Sequence, residues 1–350
     1  VGDPIAVAKA LMDVGNALDA LDGTDAVVEH YRVAGELFRA YDDTHGAANV
    51  QANRCVAMRR RGDLAGATAA GRRALDGYRT VGDEHRESIA LFNLGAIAEQ
   101  RGEIDESVAR LREAGAIADR IGSELYHALA LNQLGSAAHH AGDLECAEQR
   151  LTEAFDALDA LGAESRCASA ATTLAEVAVD RGNLAAADRW LSRAETLLDD
   201  HAGCLRLADL ERVRGRIAHR RGEFDRAEAA FAEAVDEARA GGFTLIEGRA
   251  LADCGALAAD RDAVSDAVDR LTDAVALGCR IEGARVIASA ADRMTELLAA
   301  RDAPAADDVE VDAVGPIPSE RAGDPAAYRE LAARWRADVD EIEVDPTTTD

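Results

Sequence analysis

Apolar and small side chains recur along this chain with a period of 40 residues. Glycine stands at Gly62, Gly102, Gly142, Gly182 and Gly222, followed two residues later by Leu64, Ile104, Leu144, Leu184 and Phe224. A small residue comes next in each unit, at Ala67, Ser107, Ala147, Ala187 and Ala227. An alanine column keeps the same register further in both directions: Ala34, Ala74, Ala114, Ala154, Ala194, Ala234 and Ala274. Self-similarity at one fixed period is the mark of a repeat architecture. Inside the third unit, Leu91, Leu94, Ile97 and Ala98 form a stripe of helical period that stops at Arg101–Gly102. Ile104, Val108, Leu111, Ala114, Ile117, Ala118 and Ile121 form the next stripe, closed by Gly122. Each unit therefore predicts a helix A, a tight turn, a helix B and a short loop. Gly82, Gly162 and Gly242 repeat the closing glycine, where a left-handed cap is easiest without a Cβ. Small residues at Gly15, Cys55, Gly95, Gly135, Ala175, Gly215 and Gly255 let helix A approach helix B. The facing bulky column is Tyr31, Leu111, Leu151, Leu191, Phe231 and Leu271, with Gly71 its weak member. No unit can bury its apolar face alone, so neighbours must stack.

These offsets, as in Leu94–Gly95, Ser107, Leu111 and Ala114, resemble the tetratricopeptide repeat (TPR). The 40-residue unit is similar to the longer variant of Leu-Gly-Asn-repeat adaptors, kinesin light chains, bacterial peptide-sensing regulators and the sensor halves of large ATPase regulators. The family's proline near the end of helix B is replaced here by Asp119 and its equivalents, and the longer unit usually lacks it too. The resemblance implies an all-α, right-handed superhelical solenoid of helix-turn-helix repeats. It covers seven repeats, about residues 8–287, with a capping helix over about 282–300, so that residues 1–300 make one repeat domain. Residues 301–323 read as a Pro/Asp/Ala-rich linker and residues 343–350 as a disordered tail. Between them, residues 324–342 predict a short amphipathic helix. Asp324 is its N-cap, Pro325 its first position, and Tyr328, Leu331, Ala332, Trp335 and Val339 its stripe. Tyr328 and Trp335 are candidate docking residues, either on the last repeat or on a partner or the chain's own groove.

Charge narrows the partners. The chain has 66 acidic and 39 basic residues, a formal net charge of −27, and aromatic residues make up only 4% of it. Nucleic-acid affinity draws on basic side chains, and on aromatic platforms for single strands, so neither nucleic acid nor membrane is expected as partner. No apolar run approaches the ~18 residues that a membrane span requires. No secretion signal opens the chain, and the expected location is cytoplasmic. The basic residues are 38 arginines and the single Lys9, and 38 aspartates outnumber 28 glutamates. That surplus fits a halophilic proteome kept in molar salt, where screening removes self-repulsion. An acidic protein of a GC-rich actinobacterium is the alternative. Cys55, Cys146, Cys167, Cys204, Cys254 and Cys279 form no C-x-x-C pair and read as reduced packing residues.

No nucleotide-binding, hydrolase or metalloprotease motif occurs, and the expectation is a non-enzymatic chain without metal or cofactor. His139 and His140 are adjacent, so they lie on different faces of a helix and do not suit a shared metal. What remains is the inner wall made by helix A. In the longer-repeat families an Asn before the Leu-Gly pair holds the backbone of an extended peptide, since an amide both donates and accepts. The matching positions are Asn53, Asn93 and Gln133, whereas Thr173, Val213 and Asp253 depart from the pattern. A second candidate is the ridge Arg212, Arg216 and Arg220, with Arg60 and His140 at positions equivalent to Arg220. It suits an acidic segment or terminal carboxylate of a protein or peptide partner. The alternative is pairing with Asp209, Glu176, Asp180 or Asp253. The resulting expectation is a scaffold or adaptor that binds a partner peptide or helix in the concave groove. The other reading is the sensory module of a signalling or transcriptional regulator.

Overall fold

The structure, a computed structural model, describes residues 3–20, 25–198, 204–281, 283–300, 317, 321 and 324–336. Among these, sixteen α-helices follow one another. The first pair is α1 (Pro4–Ala20) with α2 (Asp25–Ala40). Then come the pairs α3 (Thr44–Arg60) with α4 (Leu64–Val81), α5 (Glu84–Gln100) with α6 (Ile104–Arg120), and α7 (Glu124–His140) with α8 (Leu144–Ala160). They continue as α9 (Glu164–Asp180) with α10 (Leu184–Leu197), α11 (Cys204–Arg220) with α12 (Phe224–Ala240), and α13 (Thr244–Asp260) with α14 (Val264–Arg280). The last are α15 (Ala284–Ala299) and α16 (Pro325–Arg336). The fold is all-α and TPR-like, an array of helix-turn-helix units.

The turn between helices A and B is built the same way each time. Gly62, Gly102, Gly142, Gly182 and Gly222 all have φ between 73° and 82°, the left-handed region that only glycine enters without strain. Asp262 occupies the equivalent position with φ 58°. The next residue caps helix B: the Asp63 carboxylate accepts from Gly66 N–H at 2.8 Å, and Asp143 accepts from Cys146 N–H at 3.0 Å. Arg61, Gly62 and Asp63 thus serve the turn itself.

Close helix A–helix B contact explains the small and bulky columns. A Cβ added at Gly95, Gly135, Gly215 or Gly255 would lie 2.5–2.7 Å from Leu111, Leu151, Phe231 or Leu271. The exception at Gly71 has a cause: Leu94 of the following repeat and the Cys55 sulfur fill its place, at 2.8 and 3.2 Å from where a Cβ would stand.

The chain packs as two compact units, Val1–Ala98 with Glu106–Ala130, and Glu99–Asp105 with Leu131–Asp350. In the first, Val27, Tyr31, Ala34, Phe38 and Val50 form one core cluster, and Leu75, Tyr78, Leu91 and Leu94 another. In the second unit each helix from α8 to α15 packs on the next. Helices A of successive repeats also lie side by side, α9 with α11, α11 with α13 and α13 with α15. That row is the wall on which the candidate site stands. Within the same unit Trp190 of α10 meets Phe155 edge-on, with ring centroids 5.2 Å apart.

Helix α16 packs on α15. Asp324 caps it by accepting from Ala326 N–H at 2.9 Å. Tyr328 is fully buried, clustered with Met294, Leu331 and Ala332, and burial pushes its phenol up to about 12. The side chain of Trp335, most of residues 301–323 and all of 337–350 lie outside the described residues.

Candidate functional site

The helix-A wall of the second unit carries a network of buried charge. Glu176 on α9 is its centre and is 3% exposed. Arg249 of α13 reaches it with one nitrogen at 2.7 and 3.0 Å from the two carboxylate oxygens. Arg216 of α11 donates to it at 3.4 Å and to Asp180 at 2.6 Å. Arg212 also donates to Glu176, and to Asp253 and Asp209 at 3.1 Å each. His139 of α7 extends the chain through Asp180 at 2.7 Å.

Desolvation alone would raise these carboxylates. Their cationic neighbours outweigh it: Arg212, Arg249 and Arg216 hold Glu176 well below the usual carboxylate range. Burial acts upward on Asp180, yet the hydrogen bond from His139 and the charge of Arg216 hold it at about 2. Glu99, the penultimate residue of α5, is a second buried acid of this unit. It accepts from Ser136 at 2.7 Å and from Gln133, and pairs with His140 at 2.7 Å. Against the upward effect of burial, the charge and hydrogen bond of His140, with those from Ser136 and Gln133, hold it at about 2.

Beside the network lies a cavity of about 740 Å³ between α9, α11, α13 and α15. Phe224, Ala252 and Ala256 supply its apolar lining; Asp180, Arg216, His219, Arg220, Asp253, Asp260, Ser289 and Arg293, the last paired with Glu296, supply the polar groups. His219 is held by Asp260 at 2.8 Å. Arg220 is exposed and has no carboxylate partner among the described residues. An exposed guanidinium in a mostly polar cavity that also holds Phe224 can bind a chain carrying both a carboxylate and a hydrophobic side chain.

The predicted residues are thus distributed unevenly. Arg212, Arg216 and Arg220 share one ridge, but only Arg220 faces solvent with its charge uncommitted; Arg212 is 2% exposed and saturated by carboxylates. Gln133 and His140 come together on Glu99. Asn53, in the first unit, donates to Asn16 at 2.8 Å. Asn93, also there, is half-buried and makes no hydrogen bond among the described residues. Arg60 is exposed and engaged within the protein. Sequence reasoning missed Arg249, Glu99 and the pairing roles of His139 and His219. Arg249 was findable, since it sits one period after Asp209 in the same helix-A column.

Among the described residues no group of three or more His, Cys, Asp or Glu could hold a metal ion, and no helix is long and apolar enough to cross a membrane. The Cys55 thiol is buried and pushed up to about 11, that of Cys254 to about 12, which suits packing rather than nucleophilic chemistry.

No protein-family model and no curated sequence matches the chain. Several solved structures do. Aspartyl phosphate phosphatase F from Bacillus subtilis aligns with TM-score 0.67 at 10% identity, over 80% of this chain and 72% of its own. The Rap conjugation gene regulator of plasmid pLS20, in complex with the Phr* peptide, aligns with TM-score 0.65 at 12% identity, over 92% and 85%. A Rap protein complexed with competence and sporulation factor gives 0.64 at 15%, over 77% and 74%. At these identities the likeness is one of fold, and the chain shares with these proteins a TPR-like array of helices.

Proposed function

We propose that the chain is a non-enzymatic scaffold or adaptor that holds a partner peptide on the helix-A wall of its second unit. The observation that carries this reading is the cavity of about 740 Å³ lined by Phe224 and by Arg220, which has no carboxylate partner among the described residues. Two proteins of similar fold are described with a bound peptide or factor, which supports the same use of the fold here. The buried network acts as the rigid back of the site: Arg212, Arg249 and Glu176 hold α9, α11 and α13 in one arrangement.

The test is photo-crosslinking. A photoreactive residue at position 220 should crosslink a partner from native lysate, and the crosslink should vanish with Phe224→Ala. One placed at Arg226, exposed on helix B, should not label it. Equal labelling from both positions would remove the cavity from the reading, and an Asn53→Ala/Asn93→Ala variant that abolished capture would move the site to the first unit.

A second reading is the sensory or regulatory module of a larger system. It is favoured by the fold it shares with a conjugation gene regulator. We also read the unit as the longer, 40-residue TPR type, with seven repeats over about residues 8–287, a cap, a linker over 301–323 and a terminal helix and tail. A protein or peptide partner, rather than nucleic acid or membrane, follows from the acidic charge, and the location we propose is the cytoplasm. If the acidic surplus is an adaptation to salt, helicity should rise as KCl approaches molar levels; full helicity in dilute buffer would sink that part.

A further inference from the structure

Repeat two is a basic island in an acidic chain. Its helices α3 and α4 with their turn, residues 44–81, hold seven arginines and two aspartates, in a protein of net charge −27. Arg54 of α3 is half-buried, and its Nε is buried without a hydrogen-bond partner. The charges that act on it are Arg73 of α4 and Arg39 of α2, both exposed, and no carboxylate is among them. Arg39 donates to a backbone carbonyl, that of Gly35, at 3.0 Å. Arg73 has no ion pair or hydrogen bond among the described residues. One turn before Arg54 on α3, Gln51 has its carbonyl oxygen buried without a donor.

The same register occurs once more with every charge answered. Arg214 stands in repeat six where Arg54 stands in repeat two. Arg214 donates to Glu195 at 2.6 Å and to Glu211, and Glu233 acts on Glu211 in turn. The residues of repeats one and two equivalent to Glu195, Glu211 and Glu233 are Gly35, Gln51 and Arg73. A half-buried guanidinium that lacks both carboxylates its counterpart uses and stands beside two like charges is costly in a free protein. A ligand that brings carboxylates restores what repeat six supplies internally.

We propose that Arg39, Arg54 and Arg73, on three successive helices of the first unit, form a binding site for a carboxylate-rich segment of a partner protein. Carboxylates match the guanidinium fork. A peptide also offers backbone N–H groups to the orphan carbonyl of Gln51, whereas a phosphate offers acceptors alone. This site is separate from the cavity of the second unit, so either can fail without the other.

The probe is a fluorescein-labelled octaglutamate, followed by anisotropy on the full chain at the lowest KCl that keeps the native helical circular dichroism. Arg54→Leu is the decisive variant, because leucine occupies that register at Leu94, Leu134 and Leu174. Arg73→Gln, on an exposed residue, is the second. Each should weaken the peptide at least tenfold, while Arg226→Gln, which removes one charge from α12, should leave it unchanged. Equal weakening by all three would reduce the effect to net charge and overturn the site. So would tighter binding of an oligothymidylate or of phosphatidylserine vesicles, lost with the same two variants, which would reassign the arginines to phosphate.

Discussion

Repeats two and six have the same backbone, the same turn and nearly the same number of arginines, yet opposite electrostatics. Residues 204–240 contain eight arginines and eight acidic residues, where 44–81 contain seven and two. In repeat six the arginines knit helices together: Arg212 and Arg216 tie α11 to α9, and Arg221 and Arg214 tie repeat six to α10. In repeat two Arg54 and Arg73 tie nothing among the described residues. The lesson is that the small and bulky columns specify the fold, and the columns between them are free to become either internal cement or an open surface. The register says where an arginine points; its neighbours one period away say what it is for.

The sharpest way to break the comparison is to remove the cement. Arg212→Ala leaves Asp209 and Asp253 without their shared cation and should cost about 3–5 kcal/mol in chemical denaturation. Acid should then undo the same network in the unaltered protein. Glu99 and Asp180 are depressed to about 2 in the folded state, so their stabilisation is complete above their ordinary values of 4.5 and 3.8 and is lost as pH falls towards 2. Roughly 3 kcal/mol should disappear for Glu99 alone, read as a falling denaturation midpoint between pH 5 and about 2. Repeat two should respond in the other direction: Arg54→Leu relieves unanswered charge and should raise stability by about 0.5–1 kcal/mol, seen as a higher Tm. A loss on Arg54→Leu would mean that the arginine already has a stabilising role in the free protein. The smallest effect is expected at the turn. Asp262→Gly places the favoured residue at φ 58° and should shift stability by no more than about 1 kcal/mol, since the gain in the fold is offset by a floppier unfolded chain.

Much of the fold was legible because its cause is local and repeated. The glycine column reports a left-handed turn, the alanine column a close helix pair, and both are written into sequence at one spacing. Gly71 shows where legibility stops: its partner is Leu94, a side chain from the next repeat, and a rule confined to one unit cannot see it. The candidate site was legible by position, and its state only as two alternatives, of which pairing with Asp209, Glu176, Asp180 and Asp253 is the one that holds for Arg212 and Arg216. Periodicity aligned Arg212, Arg216 and Arg220, but whether each faces a ligand or a carboxylate depends on Glu176 and Arg249, which lie 36 and 37 residues away in sequence and in contact in space. Asn53 is similar, since its engagement by Asn16 depends on a residue outside its own repeat. The basic island of repeat two needed only a count of charge per repeat, a signal that the net charge of the whole chain conceals.

The edge contact of Trp190 with Phe155 has an optical consequence. Both tryptophans, Trp190 and Trp335, belong to the second unit, and four of the five tyrosines, Tyr31, Tyr41, Tyr78 and Tyr126, belong to the first. Excitation at the red edge, where indole alone absorbs, therefore watches one unit, while the tyrosine signal is dominated by the other. Nature has left the chain with two intrinsic dyes, one for each half, and a melt followed at both wavelengths will tell whether the halves let go together.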